Sequence, residues 1–518
     1  MKDIMKKYAK LYSAILFLLI ATSCDDILKE EARDRETVDN FFQTIENLDQ
    51  TVTATYKELV FDTWNRGIGG ARYRTIFCGA DDWTTQPLGN KGDFKEGDQL
   101  AINSSNTRIA GAGWNLPYDV ILQANFSIRG RVDLLGKGLN EDELNPLVAE
   151  AHFLRAWAYF TLVRLYGGVP IILKDETGSE DFSVVRSSVE EVYDQILEDL
   201  QFAIDYLPET QLERARVNRW AAKALRANVY LTMASWPLKQ TDKYADALLD
   251  AQDVINNGPY IFENDYASMF LLENEDTNTE YIWQLKFCGS NDCPEQGLNT
   301  PFASQTTKPS ELGGFEDLFI EKTFFNKFPE GERKDFTFLS YLLSQEGDTL
   351  KYQNFVWQRP YLSKFYDGAV DKEEFYQTQI GSTAGNAGLD FPMIRITEMM
   401  LIYSEANAMG GGGDNASALN YLNMVRRRAK GVDVNSVDVD DLGSFSAQDV
   451  IDERGWEFVG ETKRWFDLTR TETLAIALSD RDPDELFLIG DPNNKNLYYH
   501  PIPDLEMQLN PLLTPNPR

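Results

Sequence analysis

Apolar positions recur at helical spacing along much of the chain. Leu147, Ala151, Leu154, Ala158, Leu162 and Leu165 fall on one helix face. Phe153, Trp157 and Phe160 load a second face of the same helix. A helix apolar on two faces has to be covered on both sides, as in a stack of helical hairpins. Gly167-Gly168 predicts a left-handed C-terminal cap, and Pro170 bars continuation. The same periodicity predicts a helix from Phe41-Phe42 to about Val60, another through Trp114, Tyr118, Ile121 and Ala124, and three pairs. Pro146–Tyr166 pairs with Val189–Leu207, Trp220–Ala234 with Tyr244–Ile255, and Ile394–Met409 with Ala416–Ala429 across the turn Gly410–Gly413.

These pairs resemble degenerate tetratricopeptide units, although their spacing is too irregular for the repeat to rest on period alone. Residues 256–392 read differently. Short aromatic runs such as EYIWQLKF and YQNFVWQRPYLSKFY alternate with Gly, Asn, Pro and Thr clusters, which predicts loops with a few short strands. The aromatic content argues against disorder, and an insertion this long points to function. The expected fold is therefore mainly α: a degenerate tetratricopeptide-like helical-hairpin scaffold with a loop-rich insertion.

The N-terminus adds a targeting signal. Lys2, Lys6, Lys7 and Lys10 precede a short apolar stretch, Leu11–Ile20, and then Ala21-Thr22-Ser23-Cys24. The stretch is too short for a stable membrane span and reads as a secretory signal over residues 1–23. A cysteine after small residues looks like a bacterial lipobox, with Ala21 in place of the usual leucine. Cys24 is then the lipidation site, and residues 24–40 are a charged tether. The folded part divides into an N-terminal helical part (41–255), the insertion (256–392) and a C-terminal helical part (393–518). Of the other cysteines, Cys288 and Cys293 in CGSNDC read equally as a local disulfide and as two thiols.

Charge and composition narrow the chemistry. A net charge of −32 over 518 residues repels nucleic acid and suits neutral ligands. With only His152 and His500, histidine-based triads and metal sites lack members, and neither histidine neighbours a nucleophile motif. A carboxylate pair could make a glycosidase, but among so many acidic residues no pair stands out. Asp480, Asp482 and Asp484 alternate as calcium ligands do, and Asp438, Asp440 and Gly443 partly match. Glu485 replaces the loop glycine in the first, and Leu442 breaks the second. Solvated acidic loops is the reading for both; no cofactor is expected, a structural calcium being the weaker alternative. Arg426-Arg427-Arg428 reads as salt-bridging to the acidic surface.

Ligand capture is the chemistry that remains. A sugar offers an apolar face and a rim of hydroxyls, matched by an indole or phenol plane beside Asp, Asn, Arg or Gln. Gly79–Thr85, GADDWTT, sets Asp81, Asp82 and Trp83 in a turn-rich loop, with Asp82 as hydroxyl acceptor and Trp83 as first choice for stacking.

Four blocks then resemble, in order, the SusD/RagB family of nutrient-binding outer-membrane lipoproteins. They are AEAHFLRAWAYFTLVRLYGGVPI (149–171), FPMIRITEMMLIYSEANA (391–408), ERGWEFVGETKRWFDLTR (453–470) and YYHPIPDLEMQLNP (498–511). The second carries Arg395, Glu398, Tyr403 and Glu405. The third carries Glu453, Arg454, Glu457, Gly460, Arg464, Trp465, Asp467 and Arg470. The resemblance implies non-catalytic capture of a nutrient, most often an oligosaccharide. The ligand would pass to a SusC-type TonB-dependent barrel over which the lipoprotein sits as a hinged lid. It also implies an outward-facing lipid anchor, for which Asp25-Asp26 resembles an export tag, and it directs attention to Trp83, Trp283, Trp357 and Tyr361 as ligand contacts. Peptide capture is the alternative within the family; a glycan-degrading enzyme and a purely structural repeat scaffold are the alternatives outside it.

Overall fold

The two-faced helix predicted around Trp157 forms, and it starts earlier than its proline suggests. The computed structural model describes residues 1–2, 4–5, 40–60, 67–68, 71–87, 92–174, 184–287, 316–343, 349–365 and 389–518. Cys24, Asp25-Asp26, Cys288 and Cys293 lie outside them. Helix α3 runs Glu141–Tyr166, with Pro146 inside it. The Asn140 side chain accepts from the Asp142 amide, and Glu141, Asp142 and Glu143 favour the positive end of the helix. These terms outweigh one missing amide donor. Gly167 ends it at φ +73°, and a Cβ on Gly168 would lie 2.2 Å from the Ser187 carbonyl oxygen, so the double glycine serves one turn in two ways.

Around α3 the helices stack in chain order. They are α1 (Ile45–Val60), α2 (Leu116–Gly136), α3, α4 (Val189–Tyr206), α5 (Arg219–Met233), α6 (Lys243–Asn257), α7 (Ile396–Ala408) and α8 (Asn415–Lys430). Each packs against the next, including α6 on α7, which more than a hundred residues of chain separate. This is the tetratricopeptide-like arrangement. Two shorter helices, α9 (Ala447–Glu457) and α10 (Arg464–Arg470), close the stack against α7 and one another. Arg155 explains why α3 needs neighbours on both sides. Its guanidinium donates to both oxygens of Asp199 on α4 (2.9 and 2.6 Å) and to Asn125 Oδ1 on α2 (2.7 Å). His152 joins the same Asp199 at 2.6 Å and stacks on Phe202, a structural role.

Between α6 and α7 the described residues are loops and short strands, apart from a few short helices such as Lys322–Lys327 and Glu332–Thr337. With β1 (Trp83–Thr85) included, the strands are β2 (Tyr281–Leu285), β3 (Leu318–Ile320), β4 (Phe338–Leu339), β5 (Tyr341–Leu343), β6 (Thr349–Lys351), β7 (Tyr361–Leu362) and β8 (Phe391–Arg395). They form four antiparallel pairs among the described residues: β1 with β3, β2 with β8, β4 with β7 and β5 with β6. Thus Ile394 and Arg395, expected at the start of a helix Ile394–Met409, close the strand Phe391–Arg395, and α7 starts at Ile396.

Candidate ligand-binding surface

Strand β3 brings together two of the sequence candidates' neighbourhoods. Trp83 on β1 lies opposite Ile320, and the Ile320 amide donates to the Pro360 carbonyl (3.2 Å). The Glu321 amide donates to the Asp82 carbonyl (3.2 Å). Residues 81–83 and 357–361 therefore flank one short ribbon. Arg359 strengthens the join: it donates to the Trp357 carbonyl (2.7 Å) and to Glu485 Oε2 (2.8 Å), which also accepts from the Thr84 hydroxyl (2.9 Å). Trp283 is elsewhere, on β2 against Phe153 and Trp157 of α3.

Burial separates the candidates. Trp83 is 3% exposed, Trp283 1% and Tyr361 0%, so none of the three offers a ring face to solvent. The expectation of an open Trp83 platform is corrected on that ground; its ring lies in the main core with the Arg74 guanidinium 5.6 Å from the ring centre. Asp81 is held by both oxygens to Arg464 (2.7 and 2.8 Å), joining the GADDWTT loop to the C-terminal block. Asp82 is buried, and its Oδ1 has no hydrogen-bond partner. Burial, then the neighbouring Asp81 charge, pushes its carboxyl up to about 8 against the pull of Arg464, so it is largely protonated at neutral pH. A protonated, enclosed carboxyl is a poor acceptor for a sugar hydroxyl.

Trp357 is half-buried, and the neighbouring Gln353, Asn354 and Gln358 are exposed. Its indole N–H donates to Glu316 Oε2 (2.9 Å), while the Tyr361 hydroxyl donates to Glu316 Oε1 (2.9 Å). The ring rests against Phe319 in a small apolar cluster with Phe355, Tyr361, Leu339 and Leu389. Glu316 and Gln358 both adopt left-handed backbone, φ +53° and +54°, a conformation that costs about 1–2 kcal/mol for non-glycine residues. The surface thus carries a ring held edge-on by one carboxylate, ringed by amides.

The acidic loops are ion-paired. Lys327 meets Asp480 (2.7 Å), Lys322 meets Asp484 (2.9 Å) and Asp482 (3.7 Å), and Lys430 meets Asp438 (3.1 Å) and Asp440. Among the described residues no group of three His, Cys, Asp or Glu side chains is arranged to hold a metal. The arginine run is split: Arg427 holds Asp441 near the surface, whereas Arg428 is fully buried, binding Glu280 (2.5 Å) and Glu457 (2.7 Å).

Arg428 belongs to a network that sequence reasoning missed. Arg395 bridges Glu280 (2.7 Å), Glu457 (2.9 Å) and Glu461 (2.8 Å). Arg333 binds Glu453 (2.6 Å) and Glu457 (2.8 Å), and Lys364 binds Glu461 (2.5 Å). Four buried cations face four buried carboxylates. Beside it, Arg454 and Arg470 hold Asp467 (2.9 and 2.7 Å), and Lys463 holds Glu398 (2.7 Å). Most of the charged residues in the 391–408 and 453–470 blocks point inward and join elements. The signal was present, as charged residues set among apolar ones, but their partners lie far along the chain.

Known proteins share this architecture along its length. A family model described as starch-binding associating with outer membrane matches residues 86–231, and the SusD family model matches residues 318–518. SusD-like protein P2 of Formosa agariphila is 26% identical, covering 99% of both chains. A SusD-like protein of Bacteroides ovatus is 24% identical over 87% of this chain and 80% of its own. A SusD homolog from Bacteroides thetaiotaomicron superimposes with a TM-score of 0.76 at 20% identity, over 93% of this chain and 98% of its own. Surface glycan-binding protein A from Bacteroides fluxus does so with a TM-score of 0.73 at 21% identity, over 92% and 99%. Among the described residues no helix is long and apolar enough to cross a membrane. With two family models spanning most of the chain and relatives of matching length, the protein belongs to the SusD/RagB family.

Proposed function

We propose that the protein captures an oligosaccharide at the outer surface of the cell and delivers it, without chemical change, to a SusC-type TonB-dependent barrel that it covers as a hinged lid. The observation that carries this reading is the near full-length likeness to a protein named as a surface glycan-binding protein, together with a family model described as starch-binding. Cys24 is the proposed acylated anchor. Residues 24–40 are the proposed tether, with the helical parts 41–255 and 393–518 supporting the insertion 256–392.

Trp357 is the proposed stacking platform, because among the six candidates it alone combines a partly open ring with exposed amide neighbours. Tyr361 and Glu316 fix the ring from beneath. Trp83, Asp81 and Asp82 support the ribbon behind it. Backbone held in left-handed conformation on both sides of the ring favours a preorganised surface.

A screen against glycan and peptide libraries, with reducing-end release followed in parallel, tests the reading. Binding of a glycan without release supports it; release means an enzyme, and binding of peptides alone moves the ligand class. Trp357→Ala should weaken glycan binding about tenfold, corresponding to about 1–3 kcal/mol per stacked aromatic, with little change in Tm. Trp83→Ala should instead cost about 3–5 kcal/mol of stability. Unchanged affinity in folded Trp357→Ala would remove Trp357 from the site.

A further inference from the structure

Arg164, near the end of α3, reaches a cavity of about 70 Å³ lined by α3, α5, α7, α9, α10 and strands β2 and β8. Its guanidinium lies between two phenyl rings, 3.7 Å from the centre of Phe160 and 3.8 Å from that of Phe466. Rings on both faces leave only the guanidinium edge for hydrogen bonds. Nε donates to the Phe160 carbonyl (3.0 Å), and Nη1 and Nη2 have no hydrogen-bond partner among the described residues.

Two more donors on the walls of this cavity are unpartnered: Nη1 of Arg454 and Nε1 of Trp283, both buried. The carboxylates of the lining are already engaged. Glu398 accepts from Asn228 and Lys463, Asp467 from Arg454 and Arg470, and Glu461 from Arg395 and Lys364. The lining therefore carries surplus donors and a surplus positive charge within a chain of net charge −32. Burial pulls the Arg164 guanidinium down to about 10, with Glu398 and Asp467 acting against it at longer range, so the group stays charged at neutral pH.

We propose that this cavity is a binding site for one small monovalent anion, of the size of chloride or formate, held by the Arg164 fork, Arg454 Nη1 and the Trp283 indole N–H. Buried donors without an acceptor, as at Arg454 Nη1 and Trp283 Nε1, are costly, and one charge-assisted acceptor shared with the Arg164 fork relieves that cost. On the same measure one water needs about 10–15 Å³, so a cavity of about 70 Å³ has room for an atomic or triatomic anion. Arg164, Asn228, Thr462 and Lys463 are only partly buried and form the mouth. The site is separate from the Trp357 surface and does not depend on the nutrient reading.

Thermal unfolding of the full chain at one ionic strength, in sodium chloride, bromide, formate or gluconate, tests the proposal. Chloride, bromide and formate should raise Tm in a saturable way, and gluconate, too large to enter, should not. Trp283→Phe keeps a ring but removes the N–H, and should weaken the chloride dependence about tenfold. Arg164→Leu should abolish it; if that variant fails to fold, bromide anomalous scattering from crystals of the native protein decides. Identical Tm curves in all four salts, or a cavity holding water alone in bromide, would overturn the site.

Discussion

Asp82 shows how far a side chain's chemistry depends on what surrounds it. Its carboxyl stands at about 8 in the folded chain against an ordinary value of 3.8. Between about pH 4 and pH 8 the folded protein therefore holds a proton that the unfolded chain has released. Stability from this group is fully present below that window, falls as pH rises through it and levels off above it. Asp82→Asn removes the dependence. Its stability relative to the native chain should rise steadily from pH 4 to pH 8, by up to about 1.4 kcal/mol for each step of one in pH, read by denaturant unfolding across the range. Parallel pH profiles for the two proteins would mean that Asp82 ionises normally. The same residues explain why the GADDWTT loop misled. Asp81, Asp82, Thr84 and Thr85 are polar neighbours that suggest exposure of Trp83. In the fold Asp81 is taken by Arg464, and both threonines by Asp98, so local polarity coexists with a buried ring. Those partners lie up to 383 positions away and leave no local trace.

At the scale of elements, legibility followed period and capping. The helices α3 to α5 and α8 were readable because apolar spacing agreed with side-chain caps, such as the Ser188–Glu191 capping box and the Asp414 cap, and α6 was readable from its spacing alone. The strand Phe391–Arg395 was not. It runs directly into α7 without a side-chain cap bond at Arg395, so its last two residues, Ile394 and Arg395, joined the helix that follows it. That junction is also where the buried ion network forms, since Arg395 ties β8 to β2 through Glu280 and to α9 through Glu457. Glu457 is the hub, facing Arg333, Arg395 and Arg428, and these cations, chiefly Arg428, hold its carboxyl down to about 2 against the burial cost. Glu457→Gln leaves three buried cations short of charge. The expected loss is about 3–5 kcal/mol, seen as a lowered Tm or denaturant midpoint. A loss below about 1 kcal/mol would mean that the network relaxes to share Glu280, Glu453 and Glu461, and that its role in joining strand to helix is minor.

The whole molecule can be read as a helical stack with one long departure. Helices α6 and α7 pack as immediate neighbours, so the chain leaves the stack after Asn257 and returns at Ile396. The stack can then keep its core while the excursion varies, which is a physical reason to seek ligand specificity at Trp357 rather than on α3. Attachment belongs to this scale too. If Cys24 is the anchor, Cys24→Ala should move the protein from the membrane fraction to the soluble or unprocessed one, since no described helix can span a bilayer. Fractionation in a strain lacking the barrel partner separates the lipid anchor from retention by that partner. A variant still sedimenting with outer membranes there would refute the anchor.

Net charge decides between the two ligand classes. At −32 the chain sets up a long-range negative field. A neutral oligosaccharide feels little of it, because its recognition rests on ring stacking and hydrogen bonds at contact distance. A basic peptide would be drawn in by it and lose that attraction as salt shortens the screening length, from about 10 Å at 0.1 M to about 3 Å at 1 M. An acidic peptide would show the opposite trend, with repulsion relieved by salt. Titration calorimetry of the best ligand from the screen, at about 0.05 M and 0.5 M of a salt whose anion is too large for the Arg164 cavity, should give dissociation constants within about twofold for a sugar. A change of tenfold or more in either direction would mark a charged ligand and move the assignment from oligosaccharide to peptide capture. The choice of anion keeps occupancy of the inner cavity constant, so the salt dependence reports on the outer surface alone.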